Sequence, residues 1–252
     1  MKVENVHITG FKAALRGMRN PYDSWDKSDS VEVDNRVIRK SWQLFEDFID
    51  TDDFKPIIAE GYPCLEITLD DNIIIGEKDL KLCKQLISGG PVHSKFLRYI
   101  DVTMDITAPM DFWKEYDTYK VATVSNSCST MHTITKKDLY QTNFSLAGLR
   151  PKDIAHLQQD IGYINEVIHD DSLSDLGKTR IISKLLPQGF EQKRTVKINY
   201  ATLEGLFKWR VNHKLLEWRW LCSEVLFKFP YFKEFFIRED KNETNLLDDE
   251  RR

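Results

Sequence analysis

The chain has 252 residues, 41% of them apolar and 30% charged, and its 11 glycines and 8 prolines exclude a low-complexity or collagen-like polymer. With 36 basic against 40 acidic side chains the net charge is −4, which excludes the basic surplus of a general nucleic-acid binder. No run approaches the roughly 18 apolar residues of a membrane span, and Met1–Gly10 lacks the apolar core of a signal peptide.

In chain order, Val3–Ile8 reads as a short strand and Phe11–Met18 as a short helix. Asn20 to Ser30 is rich in turn formers and reads as a loop. Asn35–Ile49 sets Ile38, Trp42, Phe45 and Ile49 at helical spacing, a helix with one buried stripe. Cys64–Ile75 predicts two strands around Asp70-Asp71-Asn72, a hairpin. Glu77–Ser88 carries Leu80, Cys83, Leu86 and Ile87 on one face and stops at Gly89-Gly90, a helix C-terminus. From Tyr99 to Ile106 polar and apolar residues alternate, the period of a half-buried strand. Pro109 is placed as the first residue of a helix that Met110, Trp113 and Tyr116 continue.

Thr123 to Thr130 is a Ser/Thr/Asn-rich loop. Helices are expected over Pro151–Ile168, Asp175–Leu186, Tyr200–Arg210 and His213–Phe229. Arg238–Arg252 holds six acidic and four basic residues and reads as a solvated, disordered tail. The sum is an α+β fold, a small antiparallel sheet packed with several helices, in one domain over residues 1–237.

Generic catalytic signatures are absent: there is no GxGxxG, P-loop, HExxH or GxSxG. Cys64, Cys83, Cys128 and Cys222 lie far apart with no CxxC pair, the pattern of a reduced, cytoplasmic chain without a zinc site or disulfide frame. What remains is an order of elements. A helix ends in Gly-Gly, His93 follows, then an alternating strand, Ala108-Pro109 and the polar loop. Later come Leu185-Leu186-Pro187, Asn199 and, eleven residues on, Arg210.

This order resembles the flavin-dependent thymidylate synthases, in which a histidine precedes a strand and an Ala-Pro pair opens the next helix. An RHRxxSxNExSxR signature, a Leu-Pro, an N-x-R-S-L helix and a late Arg then follow. Counted without gaps from Ala108-Pro109, the signature falls on residues 118–130. Its Arg-His-Arg becomes Thr118, Tyr119 and Lys120; its Ser, Asn and Glu become Thr123, Ser125 and Asn126. Its active-site Ser falls on Cys128, or on Ser129 with a one-residue slip, and its last Arg becomes Thr130. Asn199 and Arg210 match, the N-x-R arginine is Ala201, and Arg180 lies one turn before the position of the arginine that precedes Leu-Pro. Each lost Arg fork removes roughly 1.5–3 kcal/mol of charge-assisted bonding to a phosphate. Relative to the family core, residues 23–72 form an insertion.

The resemblance implies transfer of a one-carbon unit and a hydride to C5 of dUMP, or of a related pyrimidine nucleotide. It implies FAD as cofactor, with methylenetetrahydrofolate and NADPH as co-substrates, and a homotetramer sharing its sites between subunits. It assigns His93, Lys120, Thr123, Ser125 and Asn199 to the flavin, Asn126, Ser127, Arg180 and Arg210 to the nucleotide, and Cys128 and Ser129 to the reacting centre. Each has a plainer reading: His93 as a cap or exposed side chain, Cys128 as a small buried residue, the polar loop as an ordinary turn. Arg210, in a helix that buries Leu203 and Leu206, needs a carboxylate or a ligand phosphate, and the ligand is favoured. The alternative function is a non-catalytic homologue kept as a nucleotide-binding or oligomeric scaffold. Neither nucleic acid nor membrane is expected as a partner.

Overall fold

The computed structural model describes residues 1–33, 65 and 67–237. The expected Asn35–Ile49 helix, Cys64 and the charged tail lie outside them. The main sheet has five strands in the order β3-β1-β5-β7-β6. These are β1 (Lys2–Thr9), β3 (Ile67–Leu69), β5 (Asp101–Pro109), β6 (Val124–Ser127) and β7 (Glu191–Asn199). All its pairings are antiparallel except β1 with β3. β2 (Val31–Glu32) and β4 (Ile73–Ile74) form a separate two-stranded sheet.

Two expected connections therefore change. The hairpin over Cys64–Ile75 does not form: β3 joins β1 and β4 joins β2. The physical reason is the turn between them. The Asp71 carboxylate accepts from the Gly10 and Lys12 N–H groups, and the Asp70 N–H extends the ladder to the Ile8 carbonyl. The turn is thus pinned to the start of helix α1 (Phe11–Arg19) rather than folded on itself. Gly10 there has φ +98°, and a Cβ would stand 1.9 Å from the Tyr99 carbonyl oxygen, so only glycine fits. The second change is at 123–130, where the polar loop contains β6, an edge strand paired with β7.

β7 itself carries no clean sequence signal. Its outward residues, Lys193, Thr195 and Lys197, pair with Asp105 and Asp101 across the sheet, the solvated polar face of β5. Its inward residues are Val196 and Ile198 at one end but Gln192 and Arg194 at the other.

The helices follow their periodicity more closely. Helix α2 runs over Glu77–Ser88, α3 over Met110–Tyr116, a short α4 over Thr130–Thr133, α5 over Pro151–His169 and α6 over Asp175–Leu185. Helix α7 occupies Tyr200–Arg210 as expected. Pro109 is the extended cap before α3 rather than its first residue, and Tyr99 belongs to a 3₁₀ helix over Ser94–Tyr99 that precedes β5. The single helix expected over His213–Phe229 changes pitch: α8 (Leu216–Trp220) passes through a π turn over Leu221–Val225 into a 3₁₀ turn over Leu226–Lys228. A last helix, α9, spans Phe232–Phe236.

Two apolar cores result. The larger lies under the inner sheet face, where Val102, Met104, Ile106, Val196 and Ile198 meet Phe112, Trp113, Leu203, Leu206, Trp218 and the C-terminal phenylalanines. The aromatic-rich C-terminus is therefore mostly core, with Trp209 an exception at 80% exposure. The second core joins Leu157, Ile161, Ile164 and Ile168 of α5 to Ile182 of α6, beneath Ile134, Leu139 and Phe144. A bond from Ser145 Oγ to Glu217 links the segment above the second core to α8 (2.6 Å).

At the opposite edge, Arg19 and Asp79 form a buried ion pair, Nε to Oδ1 at 2.7 Å. Ser28 and Ser30 donate to the other carboxylate oxygen at 2.5 and 2.6 Å. The guanidinium also donates to the Ser24 and Lys27 carbonyls, so the 20–30 loop is fastened to the first turn of α2.

Candidate functional site

Helix α3 ends at Tyr116, and the chain turns through residues 117–123 to reach β6. Ala122 takes a left-handed φ of 58° in that turn. Three contacts fix it: Thr123 Oγ1 donates to the Tyr119 carbonyl, Thr202 Oγ1 to the Val121 carbonyl at 3.3 Å, and Arg210 Nε to Tyr119 Oη at 2.9 Å. Beyond β6, Cys128 N–H donates to the Lys193 carbonyl and its own carbonyl accepts from Gln192 Nε2 (2.9 and 2.8 Å). The polar segment is thereby laid along β7, with the start and the end of α7 behind it.

Most of the expected site residues gather here. Lys120, Ser125, Asn126, Ser127 and Cys128 are exposed, and Thr123 and Ser129 half-buried. Cys128 is thus an exposed thiol, unlike Cys83 and Cys222, whose thiols burial pushes up to about 12. Asn199 reaches the cluster but acts locally. Its Oδ1 accepts from the Thr202 N–H and hydroxyl at 2.9 and 3.0 Å, the N-cap of α7.

Two residues stand apart. His93 is exposed and packs beside Gly89 at the end of α2. The six-residue 3₁₀ helix over Ser94–Tyr99, about 12 Å long at ~2 Å per residue, separates it from Ile100, whose carbonyl receives the Tyr200 N–H. Arg180 is exposed on α6, a helix that packs on α5 and touches α4.

The arginines decide the electrostatics. Arg210 takes a carboxylate, against the expectation of a ligand: Nη2 lies 2.8 Å from Glu115 Oε2. Its Cζ sits 5.5 Å from the Tyr119 ring and 5.2 Å from that of Trp218, which accounts for a charge in this helix without any phosphate. Arg194 is the residue that sequence pattern alone did not single out. It faces inward from β7 opposite Ser127, with its guanidinium 4.3 Å above Trp113. Its Nε donates to Gln192 Oε1 and its Nη1 to Asp117 Oδ1, both at 2.9 Å. Trp113 Nε1 donates in turn to the Gln192 carbonyl.

Between the two arginines lies an aromatic row. Trp113 and Tyr116 meet edge to face at 5.3 Å, and Tyr116 stacks on Trp218 at 6.4 Å. Tyr116 Oη and Trp218 Nε1 are buried and have no hydrogen-bond partner among the described residues. Burial keeps the Tyr116 phenol protonated far above its ordinary range; Asp117 reinforces this and Arg194 opposes it. At the other end of α3, burial and the nearby Glu217 carboxylate raise the Asp111 pKa.

No family model matches this sequence, and no curated protein matches it. Among solved structures it is similar to the flavin-dependent thymidylate synthase ThyX of Helicobacter pylori complexed with FAD and dUMP. A second structure from the same organism, thymidylate synthase X with FAD and dUMP, matches equally. Each match has 16% identity and a TM-score of 0.64, over 94% of this chain and 98% of the other. An α+β architecture shared over nearly the whole of both chains shows that this protein has the fold of the flavin-dependent thymidylate synthases.

Proposed function

We propose that the chain is a flavin-dependent thymidylate synthase-like enzyme that methylates dUMP, or a related pyrimidine nucleotide, at C5. The observation that carries this reading is the end-to-end fold match to two structures holding FAD and dUMP. The donor set agrees with a phosphorylated ligand: Lys120, Ser125, Asn126 and Ser127 are exposed, Ser125 and Ser127 on one face of β6 and Asn126 on the other.

In this reading His93, Lys120, Thr123, Ser125 and Asn199 hold FAD, Asn126, Ser127, Arg180 and Arg210 hold the nucleotide, and Cys128 and Ser129 face the pyrimidine. Bound FAD, reduced by NADPH, supplies the hydride, while methylenetetrahydrofolate supplies the carbon; the chain's own residues bind and orient. His93 and Arg180 lie away from the rim within one protomer, so a homotetramer with shared sites would bring them from a neighbour. Exposed apolar side chains beside them, Val92 next to His93 and Leu176 and Leu185 on the helix of Arg180, agree with such a contact.

One observation favours a second reading, a scaffold that keeps the fold without the reaction. Arg210 already has Glu115 and Tyr119, and Asn199 already has Thr202, so two of the matched residues are committed to structure. The visible spectrum of the purified protein separates the two. Flavin bands near one per chain support the enzyme; a colourless protein that takes up no added FAD removes it. A rise in melting temperature with dUMP then supports the nucleotide-binding scaffold, since a ligand of the folded state alone must stabilise it. Light scattering on the eluting protein tests the tetramer.

A further inference from the structure

We infer that Arg194 is a phosphate-binding residue of the 117–129 rim, with Asp117 as the counter-ion that an incoming phosphate monoester displaces. The inference rests on the nucleotide reading for the molecule that carries the phosphate, but the anion site stands on this chain's own geometry.

The guanidinium is positioned without Asp117. Trp113 supports its face at 4.3 Å, and Gln192 Oε1 holds Nε. Gln192 is itself fixed, because its Nε2 is bonded to the Cys128 carbonyl. Arg194 is only 12% exposed, so most of the cost of desolvating and orienting the fork is already met in the folded protein. Asp117 differs. It is the C-cap residue of α3, 55% exposed, and holds Nη1 alone. An ion pair of that exposure shifts an equilibrium by a factor of about five at most. A phosphate dianion brings more charge and matches the planar fork with two parallel bonds.

Two further features point the same way. Ser127 lies opposite Arg194 in the β6–β7 register, exposed and followed by the exposed Cys128. Tyr116, one residue before Asp117, presents a buried hydroxyl with no partner among the described residues, and it feels the charges of both Arg194 and Asp117. Arg210 offers less: its Cζ stands farther from its rings, and Glu115 is less exposed than Asp117.

The test is calorimetric titration of the full chain with inorganic phosphate, dUMP and deoxyuridine, for wild type, Asp117→Asn, Arg194→Lys and the surface control Arg98→Gln. Melting temperatures confirm that each variant is folded. Asp117→Asn is expected to tighten phosphate binding by up to about fivefold. Arg194→Lys keeps the charge but loses the fork, and is expected to weaken it about tenfold. Arg98→Gln is expected to leave it unchanged. Phosphate binding that ignores Asp117 and Arg194, that falls equally in Arg98→Gln, or that is absent even in Asp117→Asn overturns the inference. Phosphate binding that depends on Arg194 while dUMP binds no better than deoxyuridine keeps the anion site and removes the nucleotide reading. Binding of dUMP that is tighter than that of deoxyuridine but indifferent to Arg194 does the reverse.

Discussion

Replacing Asp79 by Asn would test the reasoning about what holds the 20–30 loop in place. Asp79 has no exposed surface, and four donor groups converge on it: Arg19 Nε and Nη2 and the hydroxyls of Ser28 and Ser30. The amide keeps the shape but removes the charge and turns one acceptor into a donor facing donors. Arg19, 6% exposed, is then left as a buried cation with no carboxylate beside it, held by one neutral amide oxygen and the Ser24 and Lys27 carbonyls. Breaking a buried pair from one side costs about 3–5 kcal/mol, a large share of a typical total of roughly 5–15. The companion variant Arg19→Met exposes the converse defect, and the double variant Arg19→Met/Asp79→Asn removes both charges together. The double variant should cost about 2 kcal/mol less than the sum of the two singles. Equilibrium urea unfolding of the four proteins measures this directly. A loss below about 1 kcal/mol in Asp79→Asn, or singles that simply add, would falsify the claim that the pair is a closed, desolvated unit.

Further expectations follow from individual positions. Asp111 has a raised folded-state pKa, from burial first and Glu217 second, so the folded state holds its proton more tightly than the unfolded chain does. Its favourable contribution is present below the ordinary carboxylate value of 3.8 and lost as pH rises through the raised value. Asp111→Asn should therefore raise the melting temperature at pH 7, with the gain vanishing in acid; a gain that is constant with pH refutes the assignment. In a Cys64→Ser background, a maleimide should label Cys128 at once and reach Cys83 and Cys222 only after unfolding, as their exposure and raised thiol pKa values require. Peptide mass mapping gives the order, and early labelling of either buried thiol counts against the core. Gly10→Ala should cost about 2–4 kcal/mol from strain at positive φ and the clash with the Tyr99 carbonyl. A melt within a degree of wild type would show that the β1–α1 corner is not as tight as described.

The elements readable in the sequence are those whose burial pattern is strong within the element itself. The Glu77–Ser88 helix has its stripe and its Gly-Gly stop, and Tyr200–Arg210 has Asn199 ahead of it as a cap. β5 alternates from Asp101 to Ala108. β7 is hidden because half of its inward positions, Gln192 and Arg194, are polar, so period two breaks where the strand meets the aromatic row. β6 is hidden for a related reason: all four of its residues are exposed, and only pairing with β7 makes them a strand. With β7 hidden, Arg194 is hidden too, since its partner Asp117 is 77 residues away. No local pattern reports such a contact. The resemblance leads to the polar loop and to Arg210, because it supplies an order of residues; Arg194 has no place in that order.

The polar break in β7 is also the most informative feature of the chain. A strand that buries a glutamine and an arginine where valine or isoleucine would pack contradicts the pattern that otherwise builds this sheet, and such contradictions are expected where function constrains the sequence. No deep ion pair compensates for it, since Asp117 stands mostly in solvent. It is offset by contacts that orient: the Trp113 face, the Gln192 side chain and, through it, the backbone of Cys128. Glu115 and Asp117, two residues apart at the end of α3, point about 200° away from each other around the helix axis. One short helix end thus supplies a counter-ion to Arg210 on one side and to Arg194 on the other. That arrangement fixes both guanidiniums and neutralises them. It leaves the more exposed carboxylate, beside the polar rim, as the one whose departure opens a site.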